Sequence, residues 1–446
     1  MRFDPQTLRA ATPELAPPAR FRVAFSGGLD STVLLHALVA AGAHPLSAVH
    51  IHHGLQPAAD AWVEHCTRAC EALGVMLDVR RVHVADDGRG PEAAARSARY
   101  AAFAAVMRPG DCLVVAHHQD DQAETVLLRL LRGAGTTGLA GMRPLVPFAG
   151  GQLWRPLLGW PRAALRAWAE DRGLSWVEDP QNQDRRFRRV WVRHNVLPLL
   201  ETEQPAVRQA LARTAATLAA DADVLHELAT ADLEGLRRGP AVSISGLRKL
   251  SAARRHNALR AWLRGRNLGT PSAALLGRVD RELLLAQADT QPLVRFPGCE
   301  LRRYRDGLYA GAPLPPPPGP ERLCWNGSAA LVLPPGCGVL RGERAPPEAL
   351  GVGFQHGGER VLPAGSRHHR PLKHLFQEAG VPPWQRRRTP LLYCAGELVW
   401  VPGVALTAAW QKTCAASGWC AVWEAPAWVA ESASGGVAFE GSQRIS

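Results

Sequence analysis

A chain of 446 residues has the length for two or three domains and for a sizeable buried core. Its formal net charge of +12, from 52 Lys+Arg against 40 Asp+Glu, favours a polyanionic partner over an acidic small molecule alone. Nine scattered cysteines without a CxxC pair, no apolar signal segment and no apolar run near the roughly 18 residues of a membrane span argue against a secreted or membrane protein, and predict a soluble, cytoplasmic one.

From about residue 20 to 200, strand and helix patterns alternate. Strands are expected at Val23–Phe25, Leu46–His52, Leu77–Val82 and Leu113–Ala116, with helices at Thr32–Ala40, Ala59–Leu73 and Pro91–Val106. Such alternation implies an α/β fold with a parallel sheet and a ligand beyond the carboxyl ends of the strands. Between the first strand and helix lies Ser26-Gly27-Gly28-Leu29-Asp30-Ser31. Its glycines permit a tight turn close to a ligand, and the helix start behind it suits phosphate. It lacks the Gly-Lys-Ser/Thr ending of a Walker A loop. Asp30 is placed to hold Mg²⁺ or to orient the cation that bridges phosphates. His50 and His52 share one face of the second strand, where they would line the nucleotide pocket. Their spacing matches no standard zinc site.

Glu92 and Arg96 form an i, i+4 pair on a helix that Pro91 opens. After the fourth strand comes His117-His118-Gln119-Asp120-Asp121-Gln122-Ala123-Glu124-Thr125. There Asp120 and Asp121 share a helix face with Glu124, suited to holding Mg²⁺, binding an ammonium or accepting its proton. Asp121 with Glu124 also suits an N-cap and N3 pair. Arg185, Arg186, Arg188, Arg189 and Arg193 surround Phe187 and Trp191, a pattern for phosphate contact with base stacking or for a solvated basic face. Further on, Leu211, Leu218, Leu225 and Leu228 predict a long helix, and a second near 251–264 carries Arg254. No strand pattern is visible between about 205 and 290. The Pro-rich string 313–320 reads as a stiff linker, the stretch beyond it as a small α+β module with a helix near Pro371–Ala379, and 431–446 as a disordered tail.

The glycine turn resembles the signature of the PP-loop ATP pyrophosphatases. Several further strings are similar to the tRNA(Ile)-lysidine synthetase family within that group: His50 to Leu55, Glu92 to Arg96 with Arg99-Tyr100, Leu130 to Met142, Arg155 to Leu158, Trp176 to Asn182, Arg193 to Pro198, Arg370 to Lys373 and Trp400 to Gly403. Gln56, Gln181 and Val190-Trp191 depart from that pattern.

The resemblance implies ATP-dependent ligation of L-lysine to C2 of the wobble cytidine in a CAU-anticodon tRNA(Ile), through an adenylated cytidine, with ATP and Mg²⁺ as cofactors. It assigns catalysis to Asp30, Arg96, Asp121 and Glu124, with Arg96 reaching the ATP phosphates. Nucleotide binding falls to Ser26, Gly27, Gly28, Leu29, Asp30, Ser31, His50 and His52, and the lysine to Asp121, Glu124 and His117. The tRNA falls to Arg132, Arg185, Arg186, Arg188, Arg189, Arg193, Arg254, Arg370 and Lys373.

By this reading residues 1–205 form the PP-loop catalytic domain, 206–312 a mainly helical substrate-binding domain and 321–430 a C-terminal tRNA-binding domain, with a homodimer as an admissible assembly. Two alternatives stand beside it. A PP-loop tRNA thiolase would use cysteine pairs, which are lacking, and a nucleotide-dependent RNA-binding protein would tolerate loss of Asp30, Asp121 and Glu124.

Overall fold

A computed structural model describes the chain apart from residues 1, 18, 53, 55–58, 84–90, 179–186, 287–290, 343–344, 347 and 427–446, and apart from the side chains of 91–93. Arg185, Arg186, Gln56, Gln181, the Glu92 side chain and the tail expected at 431–446 therefore lie outside the described residues. The chain divides into two compact units, Met1–Val224 and Leu225–Ser446.

The first unit is built on six strands: β1 (Phe21–Ala24), β2 (Leu46–His52), β3 (Met76–Arg81), β4 (Cys112–Val114), β5 (Leu145–Phe148) and β6 (Gly151–Trp154). Their order across the sheet is β3-β2-β1-β4-β6-β5, parallel except for β5, which runs antiparallel to β6. Side chains alternate between two covered faces, as a parallel sheet requires. Cys112 and Val114 join the core under helices Leu29–Ala40, Ala59–Ala72 and Arg162–Glu170, while Leu113 and Val115 pack with Phe103 and Tyr100 of helix Pro91–Val106. Within this apolar sheet Arg22 donates from Nε to the Asp111 carboxylate at 2.5 Å. Asp111 is fully buried and also accepts the backbone N–H groups of Arg20 and Arg108, each at 3.0 Å.

The β5–β6 hairpin has no counterpart among the expected strands. Its two-residue turn, Ala149-Gly150, places both residues at positive φ (48° and 76°), the twist that closes tight hairpins. Gly151 follows because any Cβ there would lie 2.0 Å from the Asp111 carbonyl oxygen.

In the second unit the middle region is helical as expected, and its helices pack on a sheet that the sequence pattern does not announce. Strands Arg237–Arg238, Ala241–Ser243, Gly307–Gly311, Cys299–Tyr304 and Leu293–Phe296 form five antiparallel neighbours in that order. Leu259, Trp262, Leu263 and Val279 cover Val242, Leu301 and Leu308. The first two strands hold two and three residues, too few for a period of two to show. The leucine repeat also splits: Leu211 packs inward, whereas Leu225 and Leu228 are exposed.

Beyond residue 320 a five-stranded and a three-stranded antiparallel sheet enclose Trp325, Trp400, Trp410, Trp419 and Trp423, so these tryptophans are core. The helix expected near Pro371–Ala379 spans Leu372–Glu378, and a second, Ala408–Ser417, joins it. The proline string is tied down: the Pro315 carbonyl accepts from Arg388, and His356 Nε2 donates to the Gly319 carbonyl at 3.0 Å. No helix among the described residues is long and apolar enough to cross a membrane.

Candidate active site

The glycine turn sits between β1 and helix Leu29–Ala40, with Gly28 as the extended N-cap and Gly27 at φ +80°. A Cβ on Gly27 would meet Cys66 Sγ at 2.9 Å, so conformation and space both demand glycine. Ser31 is buried and internally committed. Its Oγ accepts the Ser26 N–H at 3.2 Å and donates to the Gly28 carbonyl at 3.0 Å. Ser26 is exposed, its Oγ 3.0 Å from that of Ser31, while Leu29 buries its side chain in the core. His50 is buried behind the turn and donates from Nδ1 to the Phe25 carbonyl at 2.9 Å, while His52 lies 3.3 Å from Asp60. Both rings brace the strand behind the turn.

Asp30 faces Arg162 and His118. Arg162 Nε donates to its oxygens at 3.1 and 3.3 Å, and His118 Nε2 lies 3.6 Å away. Burial alone would raise the Asp30 pKa, but the His118 ring and then Arg162 outweigh it and hold the carboxyl below its ordinary value. Arg162 was not legible as a site residue, since 132 positions separate it from Asp30. It opens helix Arg162–Glu170, and Asp120 supplies the missing cap by accepting the Arg162 N–H at 3.0 Å. Asp120 also meets Arg208 at 3.2 Å, so it serves as a structural tie.

Helix Gln119–Leu130 begins with a capping box in which His118, not Asp121, is the N-cap. His118 Nδ1 accepts the Asp121 N–H at 3.3 Å, and Asp121 accepts the His118 N–H at 3.2 Å. Desolvation opposes charge on the His118 ring, yet Asp121, Asp30 and Asp120 together raise its pKa above the usual histidine value. For Asp121, burial is likewise outweighed, here by His118 and Arg189, and its pKa falls well below the carboxylate range. His117 goes the other way: burial first, then Arg155, Arg189 and Arg96, against the opposing charge of Asp121, push it down to about 3, so its ring is neutral near pH 7.

Glu124 is fully buried and bound by two guanidinium groups, Arg189 Nε at 2.7 Å and Arg193 Nε at 2.6 Å. The same arginines reach Asp121 at 3.0 and 3.4 Å. Arg189 and Arg193, expected to meet the tRNA, both turn inward in the structure, because fully buried Glu124 requires a partner. Their positions come from a helix that runs Arg188–Trp191, then a π-helical turn Val192–Val196, then Leu197–Glu203. Pro198 has no N–H for the His194 carbonyl, and the turn before it widens accordingly. Val192 and Leu197 fasten this helix to Ala123.

The other residues assigned to the tRNA divide by environment. Arg132, Arg188 and Lys373 are exposed, whereas Arg254 pairs with Asp232 and Arg370 with Glu378. Arg96 is exposed and lies over the Tyr100 ring, 4.8 Å from its centroid. Among the described residues no cluster of three His, Cys, Asp or Glu forms a metal cage. Mg²⁺ in nucleotide sites commonly takes one or two carboxylates and the substrate phosphates, and Asp30 beside the turn offers that oxygen donor. The arrangement thus joins a phosphate-shaped turn to a carboxylate pair through one histidine: Asp30, His118 and Asp121 lie in sequence, with His118 Nε2 3.6 Å from Asp30 and 3.4 Å from Asp121.

Three families match the chain along its length: a PP-loop domain over residues 4–200, a TilS substrate binding domain over 243–309 and a TilS substrate C-terminal domain over 350–423. The chain is 48% identical over 413 residues to a tRNA(Ile)-lysidine synthase of Alkalilimnicola ehrlichii, covering 89% of this chain and 92% of that one. To the synthase of Xylella fastidiosa it is 46% identical over 402 residues, 87% of this chain and 91% of the relative. To that of Xanthomonas campestris pv. campestris it is 43% identical over 391 residues, 86% and 90% of the two chains.

Proposed function

Because this chain belongs to the tRNA(Ile)-lysidine synthase family and carries out ATP-dependent lysidine formation on tRNA(Ile), we propose how its residues divide the work. ATP sits with its phosphates on the turn Ser26–Ser31, at the start of helix Leu29–Ala40. The C2 oxygen of the wobble cytidine attacks the α-phosphorus; the bond to the β-phosphate oxygen breaks and pyrophosphate leaves. The lysine ε-amine then attacks C2, the C2–oxygen bond breaks, and AMP departs with that oxygen. The net reaction is a C–N ligation that converts ATP to AMP and pyrophosphate. Mg²⁺, when bound, would neutralise phosphate charge beside Asp30.

Free lysine carries an ε-ammonium, since its unperturbed pKa is about 10.4. A carboxylate held as low as Asp121 binds such a cation better than it takes a proton, so Asp121 is assigned to holding the ammonium and Glu124 to accepting the proton. Residues 206–312 and 321–430 are assigned to the body of the tRNA. The reading is carried by one observation: His118 links the nucleotide turn to the carboxylate pair over contacts of 3.6 and 3.4 Å. The test combines ATP, radiolabelled lysine and a CAU-anticodon tRNA(Ile) transcript. Label enters the tRNA with the native enzyme and not with Asp30→Asn; pyrophosphate release without lysine incorporation would refute the ligation.

A further inference from the structure

In the first unit most inward arginines have a carboxylate partner: Arg22, Arg162, Arg189, Arg193 and Arg208 are all paired. Arg129 and Arg155, with the exposed Arg96 beside them, break the pattern. None of them meets a carboxylate among the described residues, yet they are gathered around one tyrosine. Arg96 lies over the Tyr100 ring with Nη2 3.4 Å from the hydroxyl, and Arg155 bonds that side chain too. Tyr100 is braced edge-on by Phe103 and Phe148. Arg129 spends Nη1 on the carbonyls of Gly138 and Gly141, at 2.7 and 2.8 Å, and Arg155 spends Nη1 on the Arg143 carbonyl at 2.7 Å. Among the described residues their other donors have no acidic acceptor, and Arg155 Nε and the neighbouring His117 Nδ1 have no hydrogen-bond partner.

Holding guanidinium groups together without an anion costs free energy. After burial, like charge is what depresses Arg129, from Arg132 and Arg96, and it adds to the depression of Arg155, from Arg96 and Arg129. An oxyanion would relieve both terms and satisfy the open donors bidentately.

Strand order says which oxyanion. The nucleotide turn follows β1, the His117–Glu124 string follows β4, and Arg155 follows β6, the next strand outward. At about 4.8 Å per strand, Arg155 stands about 10 Å from the turn, on the far side of the carboxylates from the phosphates. An amino acid whose ε-ammonium sits at Asp121, with its reacting nitrogen toward the adenylated base, directs its other end away from ATP. We propose that Arg129 and Arg155, backed by Tyr100, form the subsite for the α-carboxylate of the amino-acid substrate. This rests on lysine being that substrate.

Lysine and cadaverine, which is lysine without its carboxylate, separate the possibilities. The native enzyme should prefer lysine. In Arg155→Gln and in Arg129→Gln the ratio of kcat/KM for lysine to that for cadaverine should fall about 10- to 100-fold, the range expected for charge-assisted hydrogen bonds. Cadaverine incorporation, the KM for tRNA and pyrophosphate release without amine should stay unchanged. Should Arg155→Gln lose both amines through misfolding, the ratio in Arg129→Gln decides. An unchanged ratio overturns the proposal. So does a raised KM for tRNA at constant ratio, which would mark an RNA phosphate site, or slowed amine-free pyrophosphate release, which would mark an ATP phosphate site. Failure of the native enzyme to use lysine would instead refute the ligation itself.

Discussion

Asp30 shows how far a side chain's role depends on partners remote in sequence. Its carboxyl is kept low against the pull of burial by His118 and then by Arg162. A depressed carboxylate stays charged as pH falls, so the acid limb of kcat/KM for ATP should lie below the ordinary aspartate value of 3.8. Arg162→Ala removes one of the lowering influences and should move that limb upward; a pH–rate profile with the limb unmoved would contradict the assignment. The glycine turn itself was legible because each residue serves the turn locally: glycine for φ, serine for a hydroxyl within reach of the next N–H. Arg162 was not, since nothing in residue spacing connects positions 30 and 162. Arg189 and Arg193 were visible as basic but not as inward, because an arginine run shows charge without showing which side of the helix faces the carboxylates.

At the level of elements, the Arg22–Asp111 pair staples β1 to the start of β4 inside an otherwise apolar sheet. Removing one member of such a pair leaves a buried charge alone, and Asp111→Ala should cost about 3 to 5 kcal/mol in denaturant unfolding. Burial would raise the Asp111 pKa, but Arg22 and the backbone donors of Arg108 and Arg20 bring it below the usual value. A depressed folded-state pKa means this stabilisation is fully present above the unfolded value near 3.8 and is lost as pH falls through the folded one. The native protein should therefore lose more stability below pH 4 than Asp111→Asn does. The alternation that reveals β1 to β4 depends on strands bounded by helices; β5 and β6 escape it because a hairpin of four-residue strands leaves no such rhythm. The π-helical turn before Pro198 is likewise unreadable as a periodic pattern, although the proline marks where regularity must break.

For the molecule as a whole, a net charge of +12 promises nucleic-acid affinity that weakens with salt, but only cations not already neutralised contribute to it. Arg188 is exposed and Arg254 is paired with Asp232. Arg188→Ala should weaken tRNA binding and reduce the slope of log K against log salt by about 1, while Arg254→Ala should leave that slope nearly unchanged. Filter binding across a salt series distinguishes them, and equal slopes for the two variants would contradict the division.

The pairing of Asp121 and Glu124 with Arg189 and Arg193 also bears on selectivity among free cations. A tethered guanidinium acts as a resident competitor, because its return to the carboxylates is intramolecular. A free monovalent cation gains only charge attraction and none of the directed hydrogen bonds by which Arg189 and Arg193 hold these oxygens. An amine that is anchored elsewhere as well enters more readily, and the enzyme thereby disfavours weak impostors before any chemistry begins.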